Sequence, residues 1–593
     1  MEKTARKRGA RILMDYFRFV FFIISSLSIG HSALSKELCF DEREFCNSQK
    51  VISATKWMIS AANPLAVKAG ATILKNGGSA ADAMVATQSV LGLVEPQSSG
   101  LGGGAFLVWY DSKTKKITTL DGRETAPLSV TPNMFLDGNN EPVKFFDAVV
   151  GGNSVGIPGT PALMKSAHRR WGKIDWEKLF SEAIALAESG FFVSDRLAKM
   201  IKRDGRRLKK FSRTSHYFFP NGKALESGEK LGNKAYAKTL RSIAQEGISV
   251  FYRGRIAVDI IETVGSATGN KNTIVRQDLA NYKVVERRPV CKVYRSYKVC
   301  GMGPPSSGAI AIGQILGIIE NYNISSLGPT SPEAWRLIGD ASRLAFADRA
   351  KYVADSDFVK VPTKQLLSQN YLHERAKKLN RKKALLKVHP GILKVDDLSH
   401  FSNDASLELP STSHISIVDS YGNALSMTTT IENAFGSRLM TRGGFLLNNE
   451  LTDFSFRPQK DGSPIANSIE RGKRPRSSMS PTIIKDNQNE LKLILGSPGG
   501  SRIIGYVLKT IIAHLDWGLD IQKSIELPNM VNRFGVFEIE NSYQNNHLFG
   551  SLKAIGFKIK MGALNSGVYA IAVDKGILYG GADPRREGVV LGN

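Results

Sequence analysis

The stretch from Ser411 to Glu432, "STSHISIVDSYGNALSMTTTIE", constrains the fold more than any other. Apolar and small polar residues alternate on either side of a tight turn at Tyr421-Gly422-Asn423, and three threonines, Thr428 to Thr430, close the second run. A period of two around a glycine-containing turn predicts a β-hairpin. β-branched residues suit such strands, so on this stretch alone the threonines need no further role. The peculiarity is Thr412, standing at the lip of the hairpin with only the poor turn of Pro410 and Ser411 before it.

The hairpin divides two textures. Upstream, small and apolar residues recur at helical spacing from Ala66 to Leu74, Asn76-Gly77-Gly78 ends that helix, and Ala80 to Leu93 starts another. Gly100 to Gly104 feed the strand "AFLVWY"; with no Lys-Ser/Thr and a strand rather than a helix after it, this run is no phosphate loop. "ITTLDGRETAP" leaves Arg123 and Glu124 just past a strand, where loops carry function. Residues 160–285 and 331–381 read as mostly helical, and 385–411 as a polar, weakly patterned segment open to cutting. Downstream come strands: the hairpin, "GGFLLNN", "PTIIKDNQNELKLILGSPGG", a helix from about Ser501 to Leu515, and "GVYAIAVDKGILYGG". Hydrophobic content of 42% across 593 residues fits a globular α/β protein.

Residues 1–35 form a separate object. Lys3, Arg6, Lys7, Arg8 and Arg11 precede the apolar run "FVFFIISSLSIG", and Ala33-Leu34-Ser35 offers a cleavage point. This predicts a secretory signal peptide, with a periplasmic or secreted mature protein that keeps no stable membrane span. Of the four cysteines, Cys39 and Cys46 lie near the mature start, and Cys291 and Cys300 far downstream. Neither pair has zinc spacing, and two local disulfides are expected, although three pairings are open. The net charge of +26 splits into +4 before residue 36 (six basic, two acidic), +4 from Thr412 onward (20 basic, 16 acidic) and hence +18 between. The basic runs "KRDGRRLKKFSR" and "LNRKKALLK" lack interleaved aromatics, so they read as solvated faces and not as a nucleic-acid groove.

Seven pieces occur in one order: "VEPQSSGLGGG", "GIPGT", "PPSSGA", "TSHISIVDSYGNALSMTTTIE", "LLNNELTDF", "KRPRSSMSPT" and "GSPGGSR". Together they resemble the γ-glutamyltransferases (γ-glutamyltranspeptidases) of the N-terminal-nucleophile hydrolase superfamily. The resemblance implies a four-layer αββα sandwich built by two associated subunits cut from one precursor, residues 36–411 and 412–593. It implies cleavage between Ser411 and Thr412, no metal and no cofactor, with glutathione and other γ-glutamyl compounds as donors and amino acids or dipeptides as acceptors. Thr412 becomes the nucleophile, and the chemistry is sensible: a Thr hydroxyl needs a base, and a terminal α-amine, titrating at about 7.7–8.0, is one on the same residue. Thr430 takes the place of the second threonine that bonds the nucleophile, and Gly499 and Gly500 that of the oxyanion donors. Glu432, Glu450 and Asp453 fit the substrate's α-amine, and Arg123, Ser477 and Ser478 its α-carboxylate.

There are departures from the family pattern. Ser413 stands where many members have a second threonine, and Glu432 where many have Asn. The segment between Phe456 and Lys473, a lid in some members, carries no Tyr or Trp, so water should compete with amino-acid acceptors. Rival readings are a glutaryl or cephalosporin-type acylase of the same superfamily, a polyglutamate-processing transpeptidase, and an unprocessed, secreted basic binding protein.

Overall fold

The predicted hairpin forms, and it lies in the middle of a seven-stranded sheet. Ser413–Val418 pairs antiparallel with Ala424–Thr430, Ser413 opposite Thr429. Asp419 closes the turn by accepting from the N–H groups of Tyr421 and Asn423 at 3.0 and 2.9 Å, while Gly422 takes a φ of 79°. The structure is a computed structural model and describes residues 51–267, 273–393, 400–404, 406, 411–542 and 546–593. The leader and the Cys39 and Cys46 positions lie outside the described residues.

The hairpin's sheet runs Val589–Gly592, Met58–Ala61, Ser413–Val418, Ala424–Thr430, Gly104–Tyr110, Ile117–Gly122, Val285–Arg287, every neighbour antiparallel. A second antiparallel sheet runs Ile52–Ala54, Ile577–Ala582, Tyr569–Asp574, Leu491–Gly496, Thr482–Lys485, Tyr297–Gly301, Val290–Tyr294. Both therefore mix strands from before and after residue 411.

Alternation along the hairpin decides what each face meets. Ile415, Ile417, Leu425 and Met427 share one core with helices Pro64–Lys75 and Ala80–Val94. Asn63 caps the first of these helices, and a Ser79–Asp82 capping box starts the second. Val418 and Ala424 meet Ile483, Ile494 and Ile571 of the second sheet. That sheet's outer face is covered by Gly308–Ile319, Pro332–Tyr352 and Ile503–Leu515. The layers are thus helix, sheet, sheet, helix, the αββα sandwich that the resemblance implied. Ile415 is fully buried, so its truncation to Ala would cost ~2–5 kcal/mol.

Two expectations need correction. "GGFLLNN" is not a ladder strand: its backbone makes only isolated bridges, Gly102 to Leu447 and Met440 to Leu446. Leu446 and Leu447 are buried by the helical core, so their apolar run reflects packing rather than pairing. The helical reading of 331–381 breaks between Tyr352 and Thr363. The sheet of Met530–Asn532, Val536–Glu540 and Lys558–Gly562 had not been anticipated. Cys291 and Cys300 are bonded, directly opposite each other in antiparallel strands. Among the described residues no helix is long and apolar enough to cross a membrane, and no cluster of side chains could hold a metal ion.

Candidate active site

The pairing of Ser413 with Thr429 puts Thr412 opposite Thr430, one step nearer the strand ends. Thr412 is 3% exposed. Its Oγ1 donates to the Ser411 carbonyl oxygen and lies 3.2 Å from Thr430 Oγ1. Thr430 Oγ1 donates to the same carbonyl at 2.9 Å and accepts from the Glu432 N–H at 2.9 Å. The Ser411 carbonyl is therefore held by both hydroxyls. The glycine run packs behind them, since a Cβ on Gly103 would lie 2.0 Å from the Thr430 carbonyl oxygen.

Neighbours fix the chain on either side of the bond. Ser411 Oγ donates to the Gln97 carbonyl, and Ser413 Oγ to Glu95 Oε2 at 2.8 Å. Arg586 Nη1 donates to the Thr412 carbonyl at 2.9 Å. Burial pushes the Glu95 carboxyl up and draws the Arg586 guanidinium down to about 10, and the attraction between the two offsets part of each shift. None of Gln97, Glu95 and Arg586 was picked as a site residue, although the first two lie in "VEPQSSG" and Arg586 follows "GADPR".

A small pocket opens from Thr412 and Thr430, lined by Arg123, Glu432, Glu450, Asp453, Ser477, Ser478 and Gly500 among others. Ten candidates bear on this site, and the fold brings nine of them to one pocket; Gly499 immediately precedes Gly500. These two glycines have φ of 140° and 58°, conformations that side-chain-bearing residues rarely take. Neither of their N–H groups meets an acceptor among the described residues.

Charge in the pocket is lopsided. Arg123, 1% exposed, pairs with Glu450 through Nη1 and with Asp453 through Nη2. Its other bonds go to the carbonyls of Pro475 at 3.2 Å and Arg476 at 3.0 Å. The arginine fork thus grips the two acidic groups expected to face an amine. Glu432 accepts from the Asn449 side-chain amide. Glu124, which sequence reading noted but did not place in the site, is buried with neither carboxyl oxygen bonded to a donor, and it neighbours Glu450. Burial pushes Glu124 up to about 8 and Glu450 well above the usual carboxylate range. One guanidinium faces Glu124, Glu432, Glu450 and Asp453, so even with burial inclining Glu124 and Glu450 to hold a proton the site carries more acidic groups than Arg123 can match.

The segment 456–473 folds into a two-residue hairpin, Gln459–Lys460 with Ser463–Pro464. It is pinned at its base, where Phe456 stacks on Phe135 and Phe145.

A buried threonine paired hydroxyl to hydroxyl with a second one, at the start of a mid-sheet strand of an αββα sandwich, is the arrangement of the N-terminal-nucleophile hydrolases. The γ-glutamyltranspeptidase family model matches residues 66–593. The chain is 37% identical over 551 residues to the glutathione hydrolase proenzyme of Bacillus subtilis (strain 168), covering 90% of this chain and 91% of that one. It is 32% identical over 553 residues to the acylase ACY 1 proenzyme of Pseudomonas sp. (strain SE83), covering 92% and 95%. The crystal structure of a cephalosporin acylase from Bacillus halodurans superposes with a TM-score of 0.81 at 25% identity, covering 94% of this chain and 99% of that one. The chain belongs to the γ-glutamyltranspeptidase family.

Proposed function

We propose that this chain is a self-cleaving γ-glutamyltransferase and glutathione hydrolase. One observation carries the reading: two threonine hydroxyls converge on the carbonyl of the bond that must break. Thr412 Oγ1 adds to the Ser411 carbonyl carbon while Thr430 holds its oxygen. Collapse breaks the C–N bond, nitrogen takes the proton, and an ester remains. Water hydrolyses the ester, leaving a Ser411 carboxylate and a Thr412 with free hydroxyl and free α-amine.

The new amine then serves as general base for its own hydroxyl, which attacks the γ-carbonyl of the donor. The leaving amine departs with a proton, and the γ-glutamyl ester passes to water or to an amino acid or dipeptide. Gly499 and Gly500 would hold the oxyanion. Ser477 and Ser478 would take the α-carboxylate, and Glu432, Glu450 and Asp453 the α-amine. Arg123 can join the carboxylate only if one of its present ion pairs opens. The lack of Tyr and Trp between residues 456 and 473 favours hydrolysis as a competing outcome.

The experiment is electrophoresis and mass analysis of purified protein, with γ-glutamyl p-nitroanilide as substrate. Two bands cut at Ser411–Thr412 should co-elute, because the ladders joining Met58–Ala61 and Gly104–Tyr110 to the hairpin cross the cut. One uncut, inactive chain would favour the basic binding protein. The acylase relative keeps a second reading alive, glutaryl amide hydrolysis, and the pocket's excess of carboxylates speaks against it. From the leader we also infer export, with the large subunit beginning near Lys36; an intact Met1 on the native enzyme would make the leader an anchor.

A further inference from the structure

Arg349 sits in the last turn of helix Pro332–Tyr352 and is 3% exposed, yet its guanidinium reaches a pocket side chain. Nη2 donates to Ser478 Oγ at 2.9 Å, and Nε donates to Ser307 Oγ at 2.8 Å. Ser307 Oγ in turn donates to the Ser477 carbonyl at 2.7 Å. The "PPSSGA" motif around it braces the same segment: the Ser307 N–H donates to the Ser477 carbonyl, Ser306 Oγ to the Met479 carbonyl, and the Ser477 N–H to the Pro305 carbonyl.

The direction of these bonds is forced. A guanidinium only donates, so Ser478 Oγ must accept from Arg349. A backbone N–H only donates, so Ser477 Oγ must accept from Met479 at 3.1 Å. Neither hydroxyl proton meets an acceptor among the described residues, and both side chains line the pocket. Each serine is therefore turned into a donor facing the cavity. The positive charge behind Ser478 polarises its O–H further, as in any chain of hydrogen bonds. Two donors side by side suit an anion.

We propose that Arg349 is a positioning residue for recognition of the substrate's α-carboxylate, acting through Ser478 and, by way of Ser307, on the Ser477 backbone. This rests on the reading that Ser477 and Ser478 bind that carboxylate. It touches no substrate and takes no part in proton transfer.

The test compares γ-glutamyl p-nitroanilide with 4-aminobutyryl p-nitroanilide, which keeps the amine and lacks the carboxylate. Arg349→Met should lower kcat/KM for the first about 10- to 100-fold, mainly through KM, and for the second less than about threefold. Arg349→Lys, able to reach only one of the two serines, should fall between. In a Ser478→Ala background the further loss of selectivity from Arg349→Met should shrink to the part routed through Ser307. If the wild type does not distinguish the two substrates, the carboxylate reading of the serines fails. If the wild type distinguishes them and Arg349→Met lowers both rates equally, the positioning role is overturned while that reading stands. Failure of both Arg349 variants to self-cleave would make Arg349 a folding residue and overturn the proposal as well.

Discussion

Thr412 and Thr430 stand hydroxyl to hydroxyl, 3.2 Å apart, on the carbonyl of Ser411. Thr412→Ala should therefore leave a single uncut, inactive chain, whereas the wild type yields a C-terminal piece of 593 − 411 = 182 residues. Thr430→Val keeps the shape and removes the second donor, so self-cleavage should slow about 100-fold. Timed electrophoresis of purified precursors reads both. Normal cutting of Thr412→Ala would move the nucleophile elsewhere.

The acidic pocket predicts a strong preference for a substrate with an amine. Glutaryl p-nitroanilide lacks it and would leave buried carboxylates unmatched, so its kcat/KM should be lower by roughly 10³- to 10⁵-fold. Asp453→Asn should erode the ratio by weakening γ-glutamyl turnover. Arg123→Lys should harm activity too, because a point charge cannot hold Glu450 and Asp453 as the fork does. Equal wild-type rates on the two p-nitroanilides would bring the acylase reading to the front.

Glu124 should make the folded protein sensitive to alkali. Burial lifts its carboxyl from 4.5 to about 8, so the folded chain keeps a proton that the unfolded chain has released. The stability this contributes is full below about 4.5 and is lost as pH rises toward about 8. Glu124→Gln mimics the protonated form permanently. Its Tm relative to wild type should rise between pH 5 and 8, by about 2–6 °C. A Tm difference that stays flat with pH would show that Glu124 is ionised throughout.

His414 works in the opposite sense. It is buried two residues from Thr412, bonded to Thr428 Oγ1 at 2.9 Å and Ser416 Oγ at 3.0 Å, and burial draws it down to about 3. It stays neutral at working pH, so the acid limb of the rate profile is not the titration of His414. Because the unfolded chain protonates first, the stability due to neutral His414 is present above about 6.5 and is lost as pH falls toward about 3. His414→Asn should flatten the decline of Tm between pH 6.5 and 4, measured by calorimetry, without moving the acid limb of kcat.

Much of this was legible before any coordinates. The hairpin, the helices of residues 64–94 and the Gly-rich turn at Ser497–Ser501 carry local signals, periodicity and glycine, that survive in the fold. The site could be gathered from scattered motifs only through a family resemblance, because Arg123 and Glu450 are 327 positions apart. Reading failed where burial, not pairing, made a segment apolar, as at Phe445 to Leu447. It also failed where a charged side chain points inward: Arg349 in its helix looks like any surface arginine, and only the fold shows it behind Ser478.

The interleaving of strands across the cut has a consequence for quality control. Gln97 and Glu95 hold Ser411 and Ser413, and the strands flanking the hairpin come from before residue 411, so the bond proposed to break is framed by chain from both sides of it. If the chain cuts itself as proposed, a misfolded copy lacks that frame and should stay inert without any inhibitor or dedicated protease. On the same proposal each folded copy would yield one of each product, already in place.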